Sequence, residues 1–312
     1  MALAQDGKAV LVVKLGSLGD FIQAFDGFHD IRAHHAEARI ALLTTPPFAG
    51  LARRAPWFDE VWSDGRPRWT QLAVWARLVG RLRRARFSRV YDLQCNRRTA
   101  ILFRLIGGRG GPPWIGKAPG CAYPEPAYPP NTGNVERFRA HLASAGVPSA
   151  GPADLAWLAA DVSNLAPPGR FVLMAPGCSP HLPQKRWPAE HYAALGRRLA
   201  ARGYAVALAG TAADREAIDA VRTGFPEAID LSGRTNLFEL ASLARAAEAV
   251  IGNDTGPVFL TARLGAPTLM LMSAHTNENR SAPYGPAARW LKRDNLAELG
   301  VEEVEAALLL RT

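Results

Sequence analysis

Lysine and cysteine are scarce in this chain, and its hydrophobic runs are short. The three cysteines, Cys95, Cys121 and Cys178, are odd in number and form no C-x-x-C pair. That spacing excludes a disulfide framework or a zinc ribbon as the organising device, and a reducing cytoplasm is the expected compartment. No apolar stretch reaches the roughly 20 residues that a membrane-spanning helix needs. The opening "MALAQDGKAVLVVKLGS" has an apolar core too short for a signal sequence and lacks its order of regions. Lysine occurs only at positions 8, 14, 117, 185 and 292, so arginine carries nearly all of the positive charge. The formal net charge is +9 and the pI about 9.9, which admits nucleic acid, an anionic membrane surface or acidic small molecules as partners. An arginine bias also reflects composition across a proteome, so nucleic acid is not the expected partner.

What is present is ample apolar material, 48% of 312 residues, enough for two domains or one large α/β domain. Short β-branched runs alternate with helical patterns: "AVLVVKL", a helix over Asp20–His35, "ARIALLT", "DEVWS", a helix from about Thr70 to Arg86, and "SRVYDLQ". Such alternation predicts a parallel sheet covered on both faces. Residues 107–132 are dense in Gly and Pro and are expected to form a long surface loop with no regular element. After a helix near Asn134–Ala145 and a second Pro/Gly/Ala-rich stretch, the alternation restarts. "FVLMAP", "YAVALAG", "AIDLS", "EAVIG" and "PTLMLM" read as strands, separated by helices over Pro188–Ala201, Ala213–Arg222, Leu237–Ala246 and Pro257–Leu264. The expected boundary lies near residue 165, giving domains 1–165 and 166–312. Two such sheets facing each other would hold a ligand cleft at the carboxyl ends of their strands.

Three glycine-bearing loops follow strands and lead into helices, whose free N–H groups and positive dipole ends favour an anion such as a diphosphate. They are "KLGSLGD" (Lys14–Asp20), "APGCSPHLPQKRWP" (Ala175–Pro188) and "GNDTGP" (Gly252–Pro257). In the last, Asp254 or Thr255 can cap, Gly256 lets a ligand approach the backbone and Pro257 suits a first helical turn. Neither a dinucleotide fingerprint nor a P-loop is present, since "GSLGD" gives only G-x-x-G and no G-K-[ST] occurs.

The ordered set "VVKLGSLGDFIQA", "APGCS…QKRWPAEHYAALGRRL", "VALAGTAADREAI" and "LSGRTNLFELASLARAAEAVIGNDTGPVFLTARLGAP" resembles the family 9 glycosyltransferases, whose best-known members are ADP-heptose:lipopolysaccharide heptosyltransferases. The resemblance implies a GT-B architecture of two Rossmann-like domains around a deep cleft, an acceptor-binding first half and a nucleotide-sugar-binding second half. It implies an inverting, metal-independent transfer to a lipopolysaccharide-core or other envelope acceptor, with an ADP-sugar as substrate and no cofactor. By position, Asp20 matches the general base, with Lys14, Ser17 and Gly19 around it on the acceptor side. Lys185 matches a diphosphate contact. Gly177, Ser179, Asp214, Thr235, Asp254, Thr255 and Gly256 match the donor side, with Glu216 an alternative to Asp214 for the ribose. The chemistry is consistent with these roles: a carboxylate can take the proton of an attacking hydroxyl, and fixed positive ends can stabilise a leaving diphosphate without a metal.

Each residue also has a plainer reading. Asp20 can serve as an acidic first-turn residue, Lys185 as a solvated surface charge, and Asp254 and Thr255 as caps. His29, His34 and His35 crowd one helix but have no companion ligands at metal spacing, so surface histidines are expected. In "WARLVGRLRRARFSR", Trp75, Leu78, Val79 and Leu82 form a core stripe, with Arg77, Arg81 and Arg84 off it. A solvated basic face is the ordinary reading; peripheral contact with anionic lipid is the alternative. Departures from the family pattern are Phe259 where heptosyltransferases commonly have His, Gln23 in place of another His, and "MSAHTNENRSAPYGP" in place of a "GPTDP"-like loop, of which only Pro283, Tyr284 and Gly285 remain. These leave open a different nucleotide-sugar, such as a UDP-sugar, or a catalytically silent relative that still binds one.

Overall fold

The computed structural model describes residues 9–179 and 181–311; the opening residues 1–8, part of the stretch judged against a signal sequence, lie outside it. The chain divides into two compact units, one ending at Trp157 and the next beginning at Leu158.

In the first unit, β1 (Val10–Val13), β2 (Ile40–Thr44), β3 (Glu60–Ser63) and β4 (Arg89–Asp92) pair in parallel. Every residue of β1 and β2 is buried. That is the expected pattern for strands covered on both faces, and it is why they read as unbroken apolar runs. The expected helix over residues 20–35 is two helices, α1 (Leu18–Gln23) and α2 (Phe25–His34), meeting at Ala24. Helix α3 (Pro46–Arg54) leads to β3, α4 (Leu72–Arg84) to β4 and α5 (Arg97–Leu105) onward.

The stretch 107–132 corrects the sequence reading, because it contains β5 (Trp114–Gly116) and β6 (Tyr123–Pro124). They extend the sheet to six strands in the order β3-β2-β1-β4-β5-β6. Pro113 is tolerated because the ladder asks it only to accept, from Val90 N–H at 2.9 Å. β6 lies at the sheet edge, where a proline removes no needed bond. Helix α6 (Asn134–Ser144) closes the unit.

The second unit repeats the plan with β7 (Phe171–Ala175), α7 (Ala189–Ala201), β8 (Ala205–Leu208), α8 (Arg215–Gly224), β9 (Ile229–Asp230), α9 (Leu237–Ala246), β10 (Ala249–Asn253), α10 (Gly256–Arg263), β11 (Thr268–Met272), α11 (Glu278–Ser281), β12 (Ala288–Lys292) and α12 (Val301–Ala307). The strand order is β12-β11-β10-β7-β8-β9, all parallel. Counted within its own unit, each sheet has the doubly wound order 3-2-1-4-5-6. The direction of winding reverses between β1 and β4 in one and between β7 and β10 in the other. At such points the loops beyond the carboxyl ends diverge and leave a crevice.

Candidate active site

All three glycine loops stand at these two crevices. In the second unit, Asn253 ends β10 fully buried. Its Oδ1 accepts from Trp187 N–H (2.9 Å) and the Tyr192 hydroxyl (3.2 Å), while Nδ2 donates to the carbonyls of Pro176 (2.8 Å) and Gly177 (3.2 Å). One amide thereby fixes the β10 turn to the loop after β7 and to α7. Gly252 is needed beside it, since a Cβ there would meet Ala175 and Val258 at 2.7–2.8 Å.

This clamp sets the next residue. Asp254 Oδ2 accepts from Lys185 Nζ at 2.6 Å and from the Thr276 hydroxyl. Lys185 is therefore no solvated surface charge: its side chain is 15% exposed and that of Asp254 9%. Thr255 is the N-cap of α10, with extended backbone and no side-chain capping bond, and Pro257 lies in the first turn. The Thr255 carbonyl takes the N–H groups of Val258 and Phe259. The start of α10 thus lies beside a half-buried ammonium held by Asp254, and free N–H groups with a cation at a helix start suit an anionic ligand.

The Gly177 turn is occupied from the other side by Asp214, whose carboxylate fills the space that a Cβ at 177 would need. Asp214 in turn accepts from Thr211 N–H and hydroxyl, both at 2.8 Å, capping the short 3-10 turn Ala212–Asp214. Neighbouring Glu216 is exposed on α8. Ser179 is exposed, and its carbonyl accepts from Leu182 N–H. Cys178 is buried and donates to the Leu182 carbonyl at 3.1 Å; burial pushes its thiol pKa up, which keeps it protonated. Thr235 lies half-buried just before the Asn236 cap of α9, with no contact tying it to Asp254 or Lys185. Phe259 is buried in α10, and Gly285 lies directly against Ala262 of the same helix.

In the first unit, Lys14 at the end of β1 is almost wholly buried. Its ammonium donates to the Leu93 carbonyl (2.9 Å) and lies 4.7 Å from the centre of the Phe138 ring, and burial lowers its pKa. As placed, it ties β1 to the turn after β4. Leu15 N–H donates to Gln94 Oε1 at 2.8 Å across the same gap. Gly16 has φ of +121°, and a side chain there would collide with Phe48. Ser17 is exposed and caps α1; Gly19 is buried within that helix. Asp20, half-buried, accepts from Ser17 N–H (3.3 Å) and hydroxyl (3.1 Å) through Oδ2. The capping role of Asp20 is therefore real, and its second oxygen makes no bond among the described residues. Gln23 accepts from Asn134 Nδ2 at 2.9 Å.

Sequence reasoning passed over Asn253, Thr276 and the β4 turn with Asp92, Gln94 and Cys95. Asp92 is buried, which raises its pKa to about 6, and burial likewise raises Cys95. Asn253 stands inside a quoted motif and ends an apolar run, so a buried amide was a readable signal. Thr276 had none, being 22 residues from its partner. His35, expected at the surface, is half-buried and bonded to the Tyr91 hydroxyl at 2.8 Å. Among the described residues no group of three His, Cys, Asp or Glu is placed to hold a metal ion, and no helix is long and apolar enough to cross a membrane.

Residues 75–306 match the sequence model of glycosyltransferase family 9 (heptosyltransferase). The chain belongs to this family. Lipooligosaccharide heptosyltransferase 2 of Haemophilus influenzae is 39% identical over 94 residues, 28% of this chain and 27% of that protein, so the match spans about a quarter of that relative's length. Lipopolysaccharide heptosyltransferase 1 of Pseudomonas aeruginosa is 28% identical over 88% of this chain and 81% of its own. Among solved structures, Escherichia coli heptosyltransferase WaaC superposes in complex with ADP at a TM-score of 0.76 (21% identity, 96% and 98% covered). The same enzyme with ADP-2-deoxy-2-fluoro heptose gives 0.73 at the same identity and coverage. These likenesses establish the GT-B fold of two parallel six-stranded sheets.

Proposed function

We propose that this family 9 member is a cytoplasmic glycosyltransferase that moves heptose from an ADP-sugar to a lipopolysaccharide-core or related envelope saccharide. The transfer inverts the anomeric centre and uses no metal. The observation that carries the reading is the Lys185–Asp254–Thr276 cluster beside the start of α10, facing a loop in which Asp214 is seated on Gly177. In this reading the second unit binds the donor, with the ammonium of Lys185 and the N–H groups of Thr255 and Gly256 on the diphosphate. Asp214 faces the ribose, with Gly177, Ser179 and Thr235 lining the nucleotide.

The first unit supplies the acceptor side through Ser17 and Gly19, with Lys14 holding the loop. Asp20 takes the proton of the acceptor hydroxyl as its oxygen bonds to the anomeric carbon. The bond from that carbon to the diphosphate breaks on the opposite face, and ADP leaves with the electron pair. Positive groups already fixed around the phosphates need no reorganisation as that charge develops.

Asp20→Asn tests the role of the base, since it preserves an acceptor for Ser17. Transfer from ADP-heptose should fall by about 10²–10⁴-fold, with ADP affinity within a few-fold. Loss of ADP binding in parallel would reduce Asp20 to a structural cap. Titration with UDP in place of ADP separates the nucleotide alternatives.

A further inference from the structure

Residues 65–124 contain twelve arginines, one lysine and a single acid, Asp92, a net +12 against +9 for the entire chain. The remainder is therefore slightly acidic, and the basic character of the protein belongs to one segment. Asp92 is buried and offers no charge at the surface.

The structure gathers this charge on α4 and α5, which pack through Trp75, Leu82, Leu102, Phe103 and Ile106 onto the same face of the first sheet. They lie side by side. Arg98 near the start of α5 stacks over Trp75 at 4.4 Å, and Arg83 near the end of α4 donates to the Leu105 carbonyl at 3.0 Å. Arg81 and Arg98 are engaged with Trp62 and Asp64. Arg68, Arg77, Arg84, Arg86, Arg97 and Arg104 are exposed and, among the described residues, have no acidic partner. Elsewhere arginines are commonly paired, as in Arg32–Asp59, Arg39–Glu60 and Arg198–Glu305.

Among the described residues, four of the five exposed large hydrophobic residues lie on or beside α4 and α5: Trp69 (53% exposed), Leu72 (73%), Val74 (38%) and Leu105 (38%). Trp69 stacks on Trp75 at 5.1 Å, with the rings 9° from parallel, so it is held in place while remaining open to solvent. A basic segment that served only solubility has no need of an indole held open to solvent, with an exposed leucine near it in sequence, beside arginines without acidic partners. Unpaired arginine with an amphipathic aromatic ring and exposed leucine is the combination that binds an anionic bilayer: headgroup charge attracts the one, and the interfacial zone takes the other.

We infer that the α4–α5 face docks this protein peripherally onto an anionic phospholipid surface, with Trp69 and Leu72 entering the headgroup layer. This deepens the proposed function, whose acceptor is envelope glycolipid, but it is measured without donor or acceptor, so the two readings fail separately. The test is co-sedimentation of the full chain with phosphatidylcholine vesicles containing about one-third phosphatidylglycerol, against pure phosphatidylcholine. Wild type should bind the anionic vesicles, with affinity falling as salt shortens the screening length to about 8 Å at physiological strength.

Arg77→Gln/Arg84→Gln/Arg104→Gln should weaken binding about a hundredfold, at roughly fivefold per arginine. Trp69→Ala/Leu72→Ser should weaken it while keeping the salt dependence. All five positions are exposed, and unchanged melting temperatures confirm that each variant is folded. Equal binding to both vesicle types, a triple variant within twofold of wild type, or binding of duplex DNA with none to vesicles would each overturn the inference.

Discussion

Replacing Asn253 by alanine tests the clamp on which the candidate donor site is built. The amide makes four hydrogen bonds in a fully buried position, two as acceptor and two as donor. At a net value of about 1 kcal/mol each the loss is about 4 kcal/mol, and leaving the Trp187 N–H and Tyr192 hydroxyl buried without partners adds to it. A water entering the vacated space would restore part. The expected destabilisation is therefore about 3–5 kcal/mol, or roughly 10²–10⁴-fold in the local opening constant at about 1.4 kcal/mol per decade.

Hydrogen exchange on the full chain reads this directly. Amides in the β7–β10 ladder, where Val172–Ala175 pair with Ala249–Gly252, should lose protection by that factor. Those of β1 and β2, in the other unit, should not change. Asn253→Asp sharpens the test, since it keeps the acceptor but turns a carboxylate oxygen toward two carbonyls, so its cost should shrink at acid pH. A loss of protection below about fivefold for the alanine variant would refute the clamp.

Three further outcomes are expected. Lys185→Ala should weaken ADP-heptose binding about ten- to a hundredfold, the worth of one charge-assisted bond, by calorimetric titration; unchanged heats would remove Lys185 from the site. Gly177→Ala should weaken ADP binding because its Cβ would displace the Asp214 carboxylate, and adding Asp214→Ser should relieve the strain without restoring affinity. For pH, burial lowers the His35 pKa to about 4 and raises that of Asp92 to about 6. The unfolded chain gains the His35 proton below about pH 6.5, so that contribution is complete above pH 6.5 and lost as pH falls toward 4. Asp92 acts oppositely, its folded state holding a proton that the unfolded state releases, so stability rises as pH falls from 6 toward 4. Urea midpoints between pH 7 and 4 should therefore show His35→Gln gaining stability on acidification relative to wild type, and Asp92→Asn losing it. Parallel profiles for all three proteins would contradict both shifts.

The strands at the two crevices were legible because burial on both faces removes any reason for polar alternation, leaving runs such as "VLVV", "FVLMA" and "AVIGN". The helix after "GNDTGP" and the capped α9, where Asn236 and Glu239 satisfy each other's backbone, were legible for an equally local reason. β5 and β6 were not, since three and two residues are too few to show a period and their neighbours are turn formers. The division of residues 20–35 into two helices left no trace either, because Ala24, where they meet, is itself a good helix former. In the site, the loops were readable and their partnerships were not. Lys185 and Asp254 are 69 residues apart, and nothing in either neighbourhood names the other.

The two units solve one problem with different chemistry. Each must bind the end of its first strand to the end of its fourth, or the crevice at the reversal of winding would have no fixed floor. In the first unit a buried lysine reaches the main chain of the β4 turn, and Gln94 returns the contact. In the second a neutral amide does so, which leaves the neighbouring Lys185 to pair with a carboxylate at the crevice. A cation held by a single carboxylate at the crevice can shift toward an arriving phosphate while that carboxylate keeps the Thr276 hydroxyl. One whose ammonium is bound to a carbonyl in the core would have to abandon that bond. On this ground the second unit is the better candidate for a diphosphate, which is the division of roles proposed above.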